Sequence, residues 1–350
     1  RKPGARMLVD RNGQRVGLIS GGCLEDEVVR QAFEWTANGP RTVLFDTRTD
    51  ELHPEGRYGT GCEGIVRLFL ERIDPGDADP LPVLVETIEQ RESTVIATVY
   101  ASEHTDELEG LRVRLGRESS PGSVDVSAPV RARLDELVAE ARDWSRPKTV
   151  RLETPEGRLE VLLEPLKPPI ELLVVGAGDD ARPVAALAHE MGWEVRIADT
   201  RPTLTTRDRF PNARQLVSDP AEVLAQQLDV GPHTSVVIMT HQLATDAELV
   251  PAMLETDAPF VGLLGPRSRA ARLIDHWRDE GRLPDPEQLD RLQTPLGLDL
   301  GGEAPSEVAL SITSAVLAAH YGRDGGPLQQ RDGRIHAPHD RIDSQTVSDR

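Results

Sequence analysis

Hydrophobic and polar positions change period several times along the chain, and each change predicts an element. Residues 6–20, R-M-L-V-D-R-N-G-Q-R-V-G-L-I-S, alternate around Asn12-Gly13. That alternation predicts a β-hairpin, because Asn-Gly readily adopts the positive φ angles of a tight two-residue turn. At Gly21-Gly22-Cys23 the spacing becomes helical, with Leu24, Val28, Phe33 and Trp35 apolar and acids in the first turn. A strand over 42–45 follows. After Gly59-Thr60-Gly61-Cys62-Glu63-Gly64 the run I-V-R-L-F-L-E alternates and is β-branched enough for another strand. The stretch P-G-D-A-D-P-L-P over 75–82 reads as a linker or long loop. Beyond it the pattern predicts a helix over 83–91, a strand over 93–101, a loop at 119–122 and a helix over 129–144. A hairpin-like pair over 149–163 turns at Pro155-Glu156-Gly157. The runs I-V-R-L-F-L-E-R-I and L-E-V-L-L-E-P-L look alike, which hints at a shared sheet.

Lys167-Pro168-Pro169 breaks the chain, and its character changes. A continuous apolar strand over 170–175, an apolar helix over 181–191 and a strand over 194–198 make a βαβ unit. Strands over 235–240 and 260–264 alternate with helices near 220–228, 246–254 and 267–280, so a mostly parallel sheet is the natural packing. A last helix spans 305–320, and the polar, proline-bearing stretch from Gly322 is expected to be disordered. The fold class is therefore α/β: a mixed α+β amino-terminal domain, then a parallel, Rossmann-like α/β domain. The expected divisions are 1–74, a β-rich region 75–168 packed with it, 169–321, and a tail 322–350.

Composition narrows the function. With 350 residues, about two domains are expected, each with its own core. The net charge of −19 repels nucleic acid and anionic membrane surfaces on average. Cys23 and Cys62 are too few for a disulfide framework and form no C-x-x-C pair, which fits a reducing cytoplasm. No apolar run approaches a membrane span or a signal peptide. The chain opens on Arg1 rather than Met, so an amino-terminal piece is expected to precede it.

Two motifs carry chemistry. Gly176-Ala177-Gly178-Asp179-Asp180-Ala181 lies between strand and helix, with Asp199 ending the next strand. This is the pattern of a dinucleotide fingerprint: one glycine for the bend, one for close approach of a pyrophosphate, and an acid for a ribose. Asp179 and Asp180, however, place two carboxylates where a phosphate would sit, so the glycines could serve the turn alone. Gly21-Gly22-Cys23-Leu24-Glu25 and Gly61-Cys62-Glu63-Gly64 put both cysteines beside glycines. A thiol at a helix start has a lowered pKa and makes a nucleophile or a soft ligand; the alternative is a small packing residue. His241 follows a buried strand and Asp246 opens the next helix, at the edge where open α/β sheets bind ligands. Packing and capping are the competing roles. Arg267 and Arg269 at another helix start could grip a phosphate or lie solvated.

Together these segments resemble the XdhC/CoxI family, accessory proteins that mature molybdenum hydroxylases such as xanthine dehydrogenase. R-K-P-G-A-R-M-L-V, G-L-I-S-G-G-C-L-E-D-E-V and G-T-G-C-E-G-I-V-R-L-F-L-E resemble its amino-terminal domain. E-L-L-V-V-G-A-G-D-D-A-R-P-V-A-A-L-A, V-R-I-A-D-T-R-P, M-T-H-Q-L-A-T-D, F-V-G-L-L-G-P-R-S-R and T-P-L-G-L-D-L-G-G-E-A-P-S-E-V-A-L-S-I resemble its second domain. Many members carry a histidine where Asp179 stands, and a strand that normally precedes R-K-P-G is absent here. The resemblance implies a chaperone that binds molybdenum cofactor (molybdopterin) as cargo, shields it and hands it to a molybdenum hydroxylase apo-enzyme. A cysteine desulfurase as second partner is also implied, and a homodimer is a separate expectation. The cofactor contacts so expected are Gly21, Gly22, Cys23, Glu25, Gly61, Cys62, Gly176, Gly178, Asp199 and His241, with Cys23 and Cys62 shielding the metal. The rival readings are an oxidoreductase using a nicotinamide dinucleotide and a docking scaffold without catalysis.

Overall fold

The computed structural model describes residues 3–22, 24–46, 65–73, 81–103, 108–114, 127–144, 146–154, 157–331 and 341–346. The chain divides into two compact units, Arg1–Lys167 with His336–Arg350, and Pro168–Ile335.

In the first unit the hairpin β1 (Met7–Val9) and β2 (Arg15–Gly17) is antiparallel, with Leu8 opposite Val16. Its turn is closed by the Asp10 carboxylate, which accepts the N–H groups of Asn12 and Gln14. Helix α1 (Glu25–Trp35) carries Glu25, Asp26 and Glu27 in its first turn, where they complement the helix dipole. Val28 of this helix and Leu24, which precedes it, pack with Ile19 and Phe45 into a small core. Phe45 belongs to β3 (Arg41–Asp46), which pairs antiparallel with β4 (Ile65–Leu70). A larger core lies between α3 (Ala128–Glu140) and a sheet to which α2 (Leu81–Gln90) leads. That sheet contains β5 (Thr94–Ser102), β6 (Arg112–Arg114), β7 (Lys148–Thr154) and β8 (Gly157–Leu166). Leu134 and Leu137 of α3 bury against Val95, Val99, Leu152 and Val161. The two parts of this unit are tied by Thr42, whose hydroxyl donates to the Tyr100 carbonyl, and by the ion pairs Arg112–Glu71 and Arg67–Glu160.

Two expectations are corrected here. The look-alike runs do not share a sheet: β4 pairs with β3, whereas β8 lies between β7 and β5. Their likeness reports only the alternation that any half-buried strand has. Nor is the tail without structure, since Arg341–Thr346 forms a strand parallel to β7 at the sheet edge. Such a strand is held by backbone hydrogen bonds to an open edge, which a polar sequence supplies as well as an apolar one.

The second unit is built on β9 (Glu171–Val175), α4 (Ala181–Glu190), β10 (Glu194–Asp199), β11 (Gln215–Ser218), α5 (Ala221–Gln227) and β12 (Thr234–Ile238). It continues through α6 (Leu243–Leu254), β13 (Phe260–Leu263), α7 (Arg267–Asp279), α8 (Pro286–Arg291), β14 (Leu292–Gln293) and α9 (Pro305–His320). The final edge strand of the first unit is thus β15. The six strands run in the order β11-β10-β9-β12-β13-β14, all parallel. Alternate residues of β9 feed the two faces: Leu172 and Val174 pack with α4 and α9, Leu173 and Val175 with α5, α6 and α7. A strand buried on both sides reads as a continuous apolar run, which is why 170–175 shows no period of two. Trp277 fills the second face, and its indole N–H donates to the Ala247 carbonyl at 2.9 Å.

Candidate functional site

The strand order reverses at β9, with β10 on one side and β12 on the other, and the carboxyl ends of these strands form the crevice where open α/β sheets bind ligands. Gly176 leaves β9 at φ 118°, and a Cβ there would lie 2.5 Å from the Met239 carbonyl oxygen. Only glycine lets the turn pass that close to the end of β12. Asp199, ending β10, is 3 % exposed. Its Oδ2 accepts the Ala177 N–H at 2.6 Å and Arg201 Nη2 at 2.8 Å; its Oδ1 accepts the Arg201 N–H and Nε, both at 2.8 Å. Burial pushes this carboxyl up, but the Arg201 guanidinium and the two backbone donors outweigh it and hold the pKa below the usual range.

The glycine turn carries its own ions. Asp180 lies against Gly178, with Oδ1 2.5 Å from where a Cβ would stand, and its Oδ2 is 2.7 Å from His241 Nε2. His241 adopts φ 60°, in the left-handed region that non-glycine residues seldom enter. Arg209 Nη2 donates to the Ala177 carbonyl at 3.0 Å and to Asp179 Oδ1 at 2.9 Å. Behind them Asp246 is fully buried, accepting from the Thr240 hydroxyl and from Arg269 Nε. Burial pushes the Asp246 carboxyl up, in spite of these two bonds. Arg269 is therefore committed inside the protein. The crease beside Asp199, floored by Val175, Leu224 and Leu249, is too narrow to hold a water molecule.

In the first unit the turn before α1 is organised by Glu25, which is fully buried. Its Oε1 accepts the N–H groups of Ile19, Ser20 and Gly21 at 3.0, 2.7 and 3.1 Å. Its Oε2 accepts those of Gly22 and Leu24 at 2.9 and 3.2 Å, and the Ser20 hydroxyl. Gly21 and Gly22 both take φ 116°, turning successive N–H groups toward one point, an anion-binding nest. Burial would raise the carboxyl, but these donors outweigh it and place Glu25 far below the ordinary carboxylate range.

The structure thus brings Gly176, Gly178, Asp199 and His241 together in one unit, and Gly21, Gly22 and Glu25 in the other. Cys23, Gly61 and Cys62 lie outside the described residues. Glu25 and Asp199, expected to face a cofactor, have their oxygens taken by the protein's own donors. Arg201 and Arg209 were not among the expected site residues. Arg201 stood in the D-T-R-P segment, two residues past the acid, and its spacing was the available signal; nothing in the sequence pointed to Arg209. Among the described residues no cluster of His, Cys, Asp and Glu is arranged to hold a metal ion, and no helix is long and apolar enough to cross a membrane.

Comparison with known proteins bears on both units. Residues 172–316 match the family model of the XdhC Rossmann domain, and residues 1–46 that of the XdhC and CoxI family. The chain is 26 % identical over 318 residues to a probable xanthine dehydrogenase subunit of Bacillus subtilis, covering 91 % of this chain and 88 % of that protein. It is 23 % identical over 332 residues to the molybdenum cofactor insertion chaperone PaoD of Escherichia coli, covering 92 % and 79 %. A crystal structure of a xanthine dehydrogenase from Bacillus halodurans is similar at 26 % identity and a TM-score of 0.71, over 95 % of this chain and 90 % of that one.

Proposed function

The chain belongs to the XdhC and CoxI family, and from that premise we propose that it binds molybdenum cofactor as cargo and delivers it to a molybdenum hydroxylase apo-enzyme. The observation that carries this reading is similarity along 92 % of the chain to a protein described as a molybdenum cofactor insertion chaperone. The chemistry of the residues supports it. Glu25 accepts the N–H groups of Gly22 and Leu24, the two sequence neighbours of Cys23. A thiolate suits a soft metal centre, and the glycines beside Cys23 and Cys62 place no side chain in the way of a bulky cargo. Cys23 and Cys62 are the cargo contacts in this reading, with Gly21, Gly22 and Gly61 as the backbone that admits the ligand. A cysteine desulfurase is the second partner it calls for, and self-association into a homodimer belongs to the same proposal.

The test is to produce the full chain with a molybdenum cofactor supply and to measure molybdenum and pterin bound per chain. Near-stoichiometric cargo is expected, reduced at least about tenfold in affinity by Cys23→Ala, since a lost metal-thiolate contact is worth more than about 1.4 kcal/mol. Absence of binding at saturating cofactor refutes the carrier role. Deleting the gene and finding the hydroxylase fully active, with normal molybdenum content, refutes the delivery role.

A further inference from the structure

A dinucleotide on a βαβ unit makes two diagnostic contacts: its pyrophosphate lies over the second glycine at the helix start, and a ribose hydroxyl binds the acid that ends the following strand. Both places are taken here by the protein's own side chains. Over Gly178 lies the Asp180 carboxylate, its Oδ1 2.5 Å from the position a Cβ would occupy and its Oδ2 held by His241 Nε2 at 2.7 Å. A phosphate arriving there meets a negative charge already seated on the helix terminus it needs.

At the ribose end the count of lone pairs decides. An ionised carboxylate offers about four acceptor sites. Asp199 receives four donors, two on each oxygen: the N–H groups of Ala177 and Arg201, and Nε and Nη2 of the Arg201 side chain. None remains for a ribose hydroxyl. The same contact engages Arg201, whose guanidinium is bound bidentately to the Asp199 carboxylate.

We propose that Asp180 and Arg201 are specificity-determining residues, a lock at each end of the glycine turn that excludes nicotinamide dinucleotides from the second unit while keeping its parallel fold. The locks are side chains on a surface rather than buried packing. Arg201 is 40 % exposed and Asp180 25 % exposed, so each can be replaced without opening the core. This exclusion is independent of the cargo, since a chain that carries no molybdenum cofactor would still refuse dinucleotides, and the converse also holds.

The experiment is a calorimetric titration of the full chain with NAD, NADP and ADP-ribose, for the parent and for an Asp180→Gly/Arg201→Ala double variant. The parent is expected to give no saturable binding up to about 1 mM, and the double variant to bind at least about tenfold more tightly. Micromolar binding by the parent overturns the proposal. So does a folded double variant, verified by its thermal melt, that binds no better than the parent. Should the double variant not fold, Asp180→Gly alone is titrated with inorganic pyrophosphate: a gain over the parent supports the lock on Gly178, and no gain overturns it.

Discussion

The turn before α1 and the turn before α4 are built alike, strand end to glycines to helix, yet they are filled in different ways. In the first, one carboxylate from the helix's own first turn gathers five backbone N–H groups and a hydroxyl within seven residues of chain. In the second, the occupants come from far apart: Asp199 from the next strand, His241 from beyond β12, Arg209 from the loop after β10. A locally filled nest is part of the fold, because emptying it strands buried donors. In the second turn Asp199 is buried, but the contacts Arg209–Asp179 and His241–Asp180 are partly exposed and can be emptied at small cost. The difference separates a structural glycine turn from one whose occupants select what may bind.

The largest expected effect lies at Glu25. Glu25→Ala takes the acceptor from the buried Ile19 N–H and from the part-buried N–H groups of Ser20, Gly21 and Gly22, each costing about 1–3 kcal/mol where water cannot replace it. We expect the first unit to lose about 4 kcal/mol of stability. Hydrogen-exchange mass spectrometry would read this as lost protection confined to β1, β2 and α1. The control is Asp26→Ala, on the exposed side of the same helical turn, expected to change stability by under about 0.5 kcal/mol. Equal effects at the two positions would remove the distinction between the turns.

Next come the glycines. Gly176 and Gly22 have nearly the same φ, 118° and 116°, but a Cβ on Gly176 strikes the Met239 carbonyl, whereas one on Gly22 meets no described atom within 4 Å. Gly22→Ala should therefore cost only the backbone term, about 1–2 kcal/mol. Gly176→Ala adds overpacking and should cost about 3 kcal/mol. Chemical denaturation of each variant measures the gap between them, and a gap near zero would mean the strands around Gly176 yield freely.

Acid sharpens the same contrast. Glu25 has its folded pKa depressed below an unfolded value of about 4.3, so its contribution is complete above that value and is lost as pH falls toward the folded one. Protection of β1, β2 and α1 should decline from about pH 5 downward in the parent. In Glu25→Gln, which has no carboxyl to titrate, the decline should flatten, from a lower starting stability. A parent and variant with parallel acid curves would show that Glu25 is not the group responsible.

Much of this architecture could be read from the sequence, and what could not has a physical reason. The βαβ core was legible because strands buried on both faces are continuous apolar runs and α4 keeps a helical stripe. β11 and β14 were not legible, having four and two residues, too few for a period. β15 is held through an edge rather than a pattern. At the second unit's turn, the glycine spacing and the acid at 199 named residues that the fold brings together, since backbone geometry needs particular residues at particular positions. Of their occupants only Asp180 was legible, as a carboxylate standing where a phosphate would sit. Asp180, Arg201 and Arg209 are exposed-type residues whose partners are set by the tertiary fold, and a carboxylate that holds a turn is spelled like one that holds a ligand.

The smallest effect should come from His241, and it is the one that weighs the second turn directly. Its imidazole is mostly exposed and its contact with Asp180 is an exposed pair, the kind worth about 0–1 kcal/mol. Its backbone, at φ 60°, favours asparagine among ordinary residues, which tolerates that region because its short side chain can bond locally. His241→Asn should therefore keep the loop while releasing Asp180, with stability changed by no more than about 0.5 kcal/mol by thermal or chemical denaturation. With Asp180 freed, exchange protection at the start of α4 should fall while β9 and β12 stay protected, because the Gly176 approach to Met239 does not depend on the imidazole. A loss above about 2 kcal/mol would mean that this pair is as much a part of the fold as Glu25 is, and that the second turn, like the first, is filled for structure rather than for selection.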